Sequence, residues 1–288
     1  MDCYLCGNQH FKKKKNGVRD NLKINIIECC NCGLVTLDSF SHITKNFYED
    51  SKMHDFPVSI KDWLKETEKD DDRRSNDLSE IIYNKNILDF GCGNGGFLFK
   101  IKKSSKNANG IELENQFKPF FKNNGLEVYN SIQHIKESSK IKFDIITAFH
   151  VFEHLKDPLQ TLEELEKLLC VDGQIIIEVP NANDALLSLY NCKSFADFTY
   201  WSQHLFLFNE KTIKLLIEKS SFKINWIKQI QRYPLSNHLY WLSKNSPGGH
   251  EVWNFFDNKI NKLYTSALAK RGICDTIIIS ISKNLNDI

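Results

Sequence analysis

The stretch that decides the fold is Ile87-Leu88-Asp89-Phe90-Gly91-Cys92-Gly93-Asn94-Gly95-Gly96. Its first four residues predict a short buried strand, and its closely spaced glycines let the backbone turn sharply and approach a ligand. A helix is expected to begin at Gly96, and its first turn offers free N–H groups. A strand that passes through a glycine-rich turn into a helix is the opening unit of a nucleotide-binding α/β fold.

From this unit onward the chain alternates between strands and helices. A second strand is expected to end within 109–113, and further strands are expected at 126–129, 143–149, 174–179, 222–230 and 275–282. Helices are expected at 96–103, 116–123, 159–169 and 210–220. The leucines of the helix at 159–169 follow i, i+3, i+4 spacing, and Asp172-Gly173 is expected to end it. The alternation predicts a doubly wound, Rossmann-like α/β fold with a seven-stranded, mostly parallel sheet.

The front of the chain carries five of its nine cysteines. Cys3-x-x-Cys6 and Cys29-x-x-Cys32 form two pairs 22 residues apart, and each pair places two thiolates on one side of a tight turn. We therefore predict a zinc ribbon with a structural Zn²⁺ site on Cys3, Cys6, Cys29 and Cys32. Cys30 is surplus, because the spacing favours Cys29. Asn16-Gly17 is expected to form a hairpin turn, and residues 22–28 a strand that leads into the second pair.

Three regions are expected along the chain. The zinc ribbon occupies 1–37, a helical linker or lid occupies 38–80, and the Rossmann-like domain occupies 81–288. In the linker, Asp70 to Arg74 is read as a solvated helix face. Within the third region, residues 231–272 separate the last two strands and place Tyr, Trp and Phe in a polar background. This insertion is a candidate cap over the substrate.

Glu112 lies 21 residues after Gly91, at the end of the next predicted strand. A carboxylate in this place can accept hydrogen bonds from both hydroxyls of a ribose. Strand, glycine loop, helix, strand and acid in register predict a cofactor that contains a nucleoside. The alternative is an ordinary βα turn with a solvated Glu112.

Residues 87–95 resemble motif I of the class I S-adenosylmethionine-dependent methyltransferases, in which an acid precedes the glycines. The resemblance continues through 143–154 and 178–181, covers roughly residues 80–230, and implies S-adenosylmethionine as cofactor. It implies that Asp89 and the loop hold the methionine moiety and Glu112 the ribose, with Asn130 where the family usually has an acid. The implied cofactor-binding residues are Asp89, Gly91, Cys92, Gly93, Asn94, Gly95, Glu112, Leu113, Ser131, Ile132 and His150.

A Cys₄ knot that ends in Cys-Gly-Leu-Val, followed by a tyrosine-bearing segment and this core, resembles bacterial sugar methyltransferases. Those with a Cys₄ domain often C-methylate nucleotide-linked deoxyketosugars. The implied partner is thus a small molecule, a nucleotide-linked sugar or a surface-polysaccharide precursor. Gln203 stands where these enzymes tend to have an acid before His204, so O-, N- and C-methylation all stay open.

Methyl transfer is an SN2 displacement on a sulfonium, and a base removes a proton when the acceptor needs it. Histidine suits this role because its ordinary pKa of about 6.5 lies near neutral pH. His204 is the first candidate for the base and His154 the second, and Tyr48 is a candidate lid or acceptor-orienting residue. Further candidates for the acceptor pocket lie in the insertion: His238, Tyr240, Trp241 and His250.

Composition excludes several other classes of protein. The 288 residues carry a net charge of +2, no apolar run reaches the roughly 18 residues of a membrane span, and no secretory signal is evident. A cytoplasmic enzyme is expected, and nucleic acid is not its expected partner, because Lys12 to Lys15 is read as a solvated turn. The alternative functions are a zinc-ribbon RNA methyltransferase and a scaffold without catalytic activity.

Overall fold

The computed structural model describes residues 1–44, 47–48, 59–138, 141–253 and 255–284. The strands are β1 Phe11–Lys15, β2 Ile26–Cys29, β3 Val35–Leu37, β4 Asn86–Phe90, β5 Asn107–Ile111, β6 Glu127–Tyr129, β7 Phe143–Phe149, β8 Leu169–Pro180, β9 Phe206–Leu207, β10 Phe222–Ile230 and β11 Thr276–Lys283. The helices are α1 Ile60–Asp77, α2 Ser79–Ile82, α3 Gly96–Ile101, α4 Lys118–Asn123, α5 Ile132–Ser138, α6 Pro158–Glu166, α7 Ala185–Ser188, α8 Lys193–Thr199, α9 Glu210–Glu218, α10 Leu235–Lys244, α11 Gly249–Val252 and α12 Asn258–Ala269. Short 3₁₀ turns lie at Asn115–Phe117 and Phe152–His154.

A seven-stranded sheet in the order β10-β11-β8-β7-β4-β5-β6 forms the centre of the molecule. The five strands from β8 to β6 are parallel, and β10 and β11 join the other edge antiparallel. The doubly wound seven-stranded fold is thus confirmed. The chain leaves β4 in one direction toward β5 and returns on its other side at β7. In such sheets ligands bind at the carboxyl ends of the strands that flank this reversal.

The predicted helix boundaries differ from the observed ones by up to three residues, most of all at 159–169. The helix expected at 159–169 ends at Glu166, and β8 already begins at Leu169, so Asp172-Gly173 lies within the strand. The backbone N–H of Phe143 donates to the carbonyl of Leu168 at 2.9 Å, and Leu168 and Leu169 are buried. These two leucines continue the helical spacing, but they pack at the start of the strand instead.

The cysteine-rich front of the chain forms a second, four-stranded antiparallel sheet in the order β1-β2-β3-β9. Its last strand comes from the large domain, about 170 residues later in the sequence, and Thr36 pairs with Phe206 there. The Thr36 hydroxyl also donates to the carbonyl of Leu205 at 2.7 Å. The ribbon sheet therefore includes a strand of the large domain, which sequence spacing did not predict.

Lys12 to Lys15 was expected in a solvated turn and instead lies in β1, the edge strand of the ribbon sheet. The ammonium groups of Lys12 and Lys14 each lie 3.0 Å from the carboxylate of Glu28 on β2. Charged side chains on an edge strand discourage pairing with another chain. The predicted strand at 22–28 is also shorter and begins only at Ile26, because Leu22 is exposed in the preceding turn.

Asp70 to Arg74 is not the solvated helix face that was expected. Asp71 and Arg74 are buried on α1, which packs against the central sheet and α3. The insertion between β10 and β11 folds as α10, α11 and α12, and its His238 and Trp241 are buried within the protein. Among the described residues, no helix combines the length and apolarity needed to cross a membrane.

Candidate active site

The glycine loop follows β4 at the carboxyl edge of the sheet. Gly91, Gly93 and Gly95 have φ of +75°, +52° and +77°, a region that side chains strongly disfavour. The N–H groups of Gly91 and Cys92 donate to the carbonyl of Ile111 at 2.9 Å. These bonds fix the loop against β5, and the glycines themselves add no side chains to its outer surface. The loop is therefore shaped for close approach of a ligand.

Two carboxylates flank this loop, that of the buried Asp89 and that of the half-buried Glu112. Glu112 accepts from the Gly93 N–H at 2.8 Å and from the Glu114 N–H at 3.0 Å, and each of its oxygens keeps a further lone pair for a hydroxyl donor. Burial raises the pKa of Asp89 to about 7, although the Thr147 hydroxyl donates to it at 2.7 Å. Burial raises the pKa of Glu112 as well. Arg74 offsets only part of the effect of burial on Asp89, and two carboxylates beside the loop fit the positively charged S-adenosylmethionine.

The other residues implied for the cofactor have varied positions. The buried Asn94 donates to Thr67 of α1 at 2.9 Å and accepts from the Gly96 N–H, so it joins the loop to α1. Cys92 points away from the loop surface, toward Gly110 of β5. At the end of β6, Ser131 accepts from the His134 N–H at 3.1 Å, while Ile132 is buried in the core and Leu113 is partly exposed.

Two side chains from other elements cover the loop. A Cβ at Gly93 would lie 3.1 Å from the Trp63 ring of α1, and one at Gly91 would lie 2.5 Å from the Val151 side chain. Neither position therefore tolerates a larger residue. The segment that carries Val151 also carries His150, Glu153 and His154, so it joins the cofactor loop to the candidate catalytic residues.

His150 adopts a left-handed conformation with φ of +55°, which is rare outside glycine and concentrates at functional sites. Its Nδ1 lies 3.2 Å from Glu153 Oε1 and its Nε2 lies 3.3 Å from Glu178 Oε1. Burial opposes a charged imidazole, but the two carboxylates outweigh it and raise the pKa of His150. His150 thus links the end of β7 to the end of β8.

Sequence reasoning missed a cluster of charged residues behind His150. Glu178 is fully buried in β8 and accepts from Arg73 at 2.9 Å and from Arg74 at 2.7 Å. Arg232, at the end of β10, donates to Asp70 of α1 at 3.1 Å. The only sign of this cluster in the sequence was the run Asp70-Asp71-Asp72-Arg73-Arg74. Such a run of charged residues either faces solvent or forms ion pairs with residues elsewhere in the chain, and the run itself does not show which. These ion pairs tie α1 to the central sheet.

The candidate bases His154 and His204 do lie together. Their ring centroids are 5.1 Å apart, and Tyr48 donates from its hydroxyl to the carbonyl of His154 at 2.9 Å. Burial lowers the pKa of His204 to about 3 and also lowers the pKa of His154, so both rings are neutral at pH 7. Glu153 is 1% exposed and shares the cluster with them.

The ribbon fixes the segment that carries His204. The Arg19 N–H donates to the carbonyl of Tyr200 at 2.9 Å, and Asp20 accepts from the N–H and the hydroxyl of Ser202. His42 Nε2 lies 2.7 Å from the carbonyl of Ser202. With the pairing of β3 and β9, these contacts hold both ends of the segment. The position of His204 therefore depends on the fold of the ribbon.

The four expected cysteines converge at the front of the ribbon. The Sγ atoms of Cys3, Cys6, Cys29 and Cys32 all lie within 4.8 Å of one another. Cys3 and Cys32 are 3.5 Å apart at sulfur, as are Cys6 and Cys29. Ligands bound tetrahedrally at about 2.3 Å would be separated by roughly 3.8 Å. The donor set therefore fits a zinc ion, and the exposed Cys30 lies outside it.

Comparisons with known proteins agree with this geometry. Residues 60–225 match a family model described as a methyltransferase domain. A tRNA U34 carboxymethyltransferase of Helicobacter acinonychis (strain Sheeba) is 30% identical over 107 residues, which is 34% of this chain and 41% of that protein. A ubiquinone biosynthesis O-methyltransferase of Actinobacillus pleuropneumoniae serotype 7 (strain AP76) is 26% identical over 35% of this chain and 47% of its own length. The matches thus span less than half of these relatives.

Solved structures with a similar fold include a SAM-dependent methyltransferase from Archaeoglobus fulgidus. It is 20% identical with a TM-score of 0.45, and the match covers 77% of this chain and 99% of that one. The family model covers more than half of the chain, from α1 through α9 to the start of β10. The glycine loop with its two carboxylates lies within that range. The chain therefore belongs to the family of S-adenosylmethionine-dependent methyltransferase domains.

Proposed function

We propose that this protein methylates a small sugar-type acceptor, a nucleotide-linked sugar or a surface-polysaccharide precursor, in the cytoplasm. The observation that carries the proposal is the cluster of the buried Glu153 and His154 with the half-buried His204, next to the segment whose Val151 packs against the cofactor loop. Because two of the three side chains are buried, we expect a small acceptor to reach them more easily than a polymer. The resemblance of the Cys₄ domain plus methyltransferase core to sugar methyltransferases supports the same substrate class.

In the proposed reaction a lone pair on an acceptor oxygen, nitrogen or carbon attacks the methyl carbon of S-adenosylmethionine in line with its S–C bond. That bond breaks, its electron pair stays on sulfur, and S-adenosylhomocysteine leaves. His204 or His154 acts as general base and takes the acceptor proton during methyl transfer, since the two rings are adjacent and unprotonated at pH 7, although burial makes both weaker bases than a free histidine. Tyr48 orients this pair through its hydrogen bond to the His154 carbonyl.

We also propose that the four cysteines hold a structural Zn²⁺. The zinc would fold the ribbon, which is too small to have a core of its own. Through Arg19, Asp20 and Thr36 the folded ribbon would then hold the segment that carries His204. In this proposal the metal takes no part in the reaction itself and contributes to catalysis only by holding the ribbon, and through it His204, in place.

An RNA acceptor is the second candidate, since the relatives include tRNA U34 carboxymethyltransferases. Release of S-adenosylhomocysteine, measured with a panel of nucleotide-linked sugars and with bulk tRNA, distinguishes the two. The proposal predicts turnover with a sugar nucleotide and little dependence on salt. Turnover with tRNA alone, falling steeply as salt rises, would replace it, because phosphate contacts release counterions.

A further inference from the structure

We propose that Glu153, His154 and His204 bind a divalent transition-metal ion, at a site separate from the four cysteines. Glu153 and His154 lie in the 3₁₀ turn after β7, and His204 lies in the segment before β9. One nitrogen of each imidazole and one carboxylate oxygen all lie within 4.8 Å of one another. Two elements far apart in sequence thus bring three ligand groups to one point.

Two atoms of this cluster have no partner within the described part of the chain. Glu153 Oε2 and His204 Nδ1 are both buried and make no hydrogen bond there. Buried polar atoms are almost always paired, and an unpaired carboxylate oxygen is especially costly. Since one atom is an anionic oxygen and the other an imidazole nitrogen, a cation between them would satisfy both.

The surroundings orient the side chains in the way that metal sites require. His154 Nδ1 lies 2.8 Å from the carbonyl oxygen of Gln203, so this nitrogen is the donor and the Nε2 lone pair is available. Glu153 Oε1 is engaged by His150 at 3.2 Å, which leaves Oε2 for the ion. Metal-bound histidines nearly always donate their other N–H in this manner, and ligating carboxylates are themselves hydrogen-bonded.

The donor set decides which ions fit. Two imidazoles and one carboxylate suit Zn²⁺, Fe²⁺, Mn²⁺ or Co²⁺ and leave coordination positions open. Bonds of about 2.0–2.2 Å require the three side chains to close in by roughly an ångström. The consequence for catalysis rests on the proposed function. With the ion bound, the two histidines would be ligands in place of the general base, and an acceptor hydroxyl in an open position, its pKa lowered by the ion, would release its proton to water.

The test starts from the full chain reconstituted with a single equivalent of Zn²⁺, which the four thiolates bind first. This protein is titrated with Co²⁺ alone, followed by absorption spectroscopy and by metal counting after gel filtration. We expect one Co²⁺ per chain in addition to one Zn²⁺. Its visible bands should be those of nitrogen and oxygen ligands, without the thiolate charge-transfer band that cobalt at the cysteines would give. Wild-type protein that retains no Co²⁺, or binds it only with the thiolate band, would overturn the proposal.

Variants locate the ion. Glu153→Gln and His204→Asn should each weaken Co²⁺ binding by more than about 100-fold, whereas Glu163→Gln, the same charge change on the exposed face of α6, should not. Wild-type affinity in both cluster variants would contradict the site. The readout does not depend on activity. Methyl transfer without bound Co²⁺ would reject only the metal site, and bound Co²⁺ without methyl transfer to a sugar nucleotide would reject only the proposed function.

Discussion

Asp89 offers the sharpest test of the cofactor site, because without a cationic ligand its charge destabilises the fold. Burial raises its pKa from an ordinary 3.8 to about 7. The folded state therefore holds a proton that the unfolded chain releases, and stability falls as pH rises through the window from about 4 to 7. A gap of about three pKa units corresponds to at most about 4 kcal/mol above pH 7.

Asp89→Asn removes the charge, keeps the shape and retains an oxygen that accepts from Thr147. The ligand-free variant should be more stable than wild type at pH 8, by up to about 4 kcal/mol in the free energy of unfolding, and equally stable at pH 4. The same variant should bind S-adenosylmethionine roughly 10- to 100-fold more weakly, since it loses a hydrogen bond to a charged group.

Urea unfolding at pH 4, 6 and 8 measures the first effect, and calorimetric titration with S-adenosylmethionine measures the second. Asp144→Asn is the matched control, because Asp144 accepts from the Asn86 N–H at the opposite edge of the same sheet. It should change neither quantity in this pattern. The reasoning is refuted if Asp89→Asn gains no stability between pH 4 and pH 8, or if it binds the cofactor as tightly as wild type.

Three further variants test other parts of the site. Glu112→Ala should lower cofactor affinity by roughly 30-fold or more, since two ribose hydroxyls lose a charged acceptor, and an unchanged calorimetric titration would contradict this role. His204→Ala should lower the rate of methyl transfer by about 10²- to 10⁴-fold and leave cofactor affinity unchanged. If the His204→Ala and His154→Ala variants both keep full activity, neither ring removes the proton. Cys3→Ser should release the zinc, as counted by metal analysis, and should abolish methyl transfer while cofactor binding persists. A zinc-free variant with normal turnover would show that the ribbon does not position His204.

The central sheet and the cofactor loop could be predicted from sequence because their signals are local. Buried strands appear in the sequence as short apolar runs. The glycines of the loop adopt positive φ because of the local turn, whatever the position of the rest of the chain. The strands at 143–149 and 222–230 occupy the residues that were predicted. The four cysteines could be assigned for the same reason, since the pair spacing is local and the geometry of thiolate sites is simple.

Contacts between residues far apart in the sequence could not be predicted. Nothing in residues 35–37 indicates that they pair with a strand near residue 206, and this contact joins the ribbon to the large domain. Similarly, Asp70 to Arg74 reads as a surface charge run until Glu178 and Arg232 are placed beside it. Glu153 was not among the predicted site residues. It lies beside His204, 51 residues later, because the turn after β7 brings it there.

The most direct test of the account is to incubate the protein with methyl-labelled S-adenosylmethionine and a host extract separated into small molecules and polymers. The account predicts label in a small, nucleotide-bearing fraction, with the acceptor then identified by mass, and no such label with Glu112→Ala. Label that enters RNA instead, or no label in any fraction while the cofactor is bound, would contradict it.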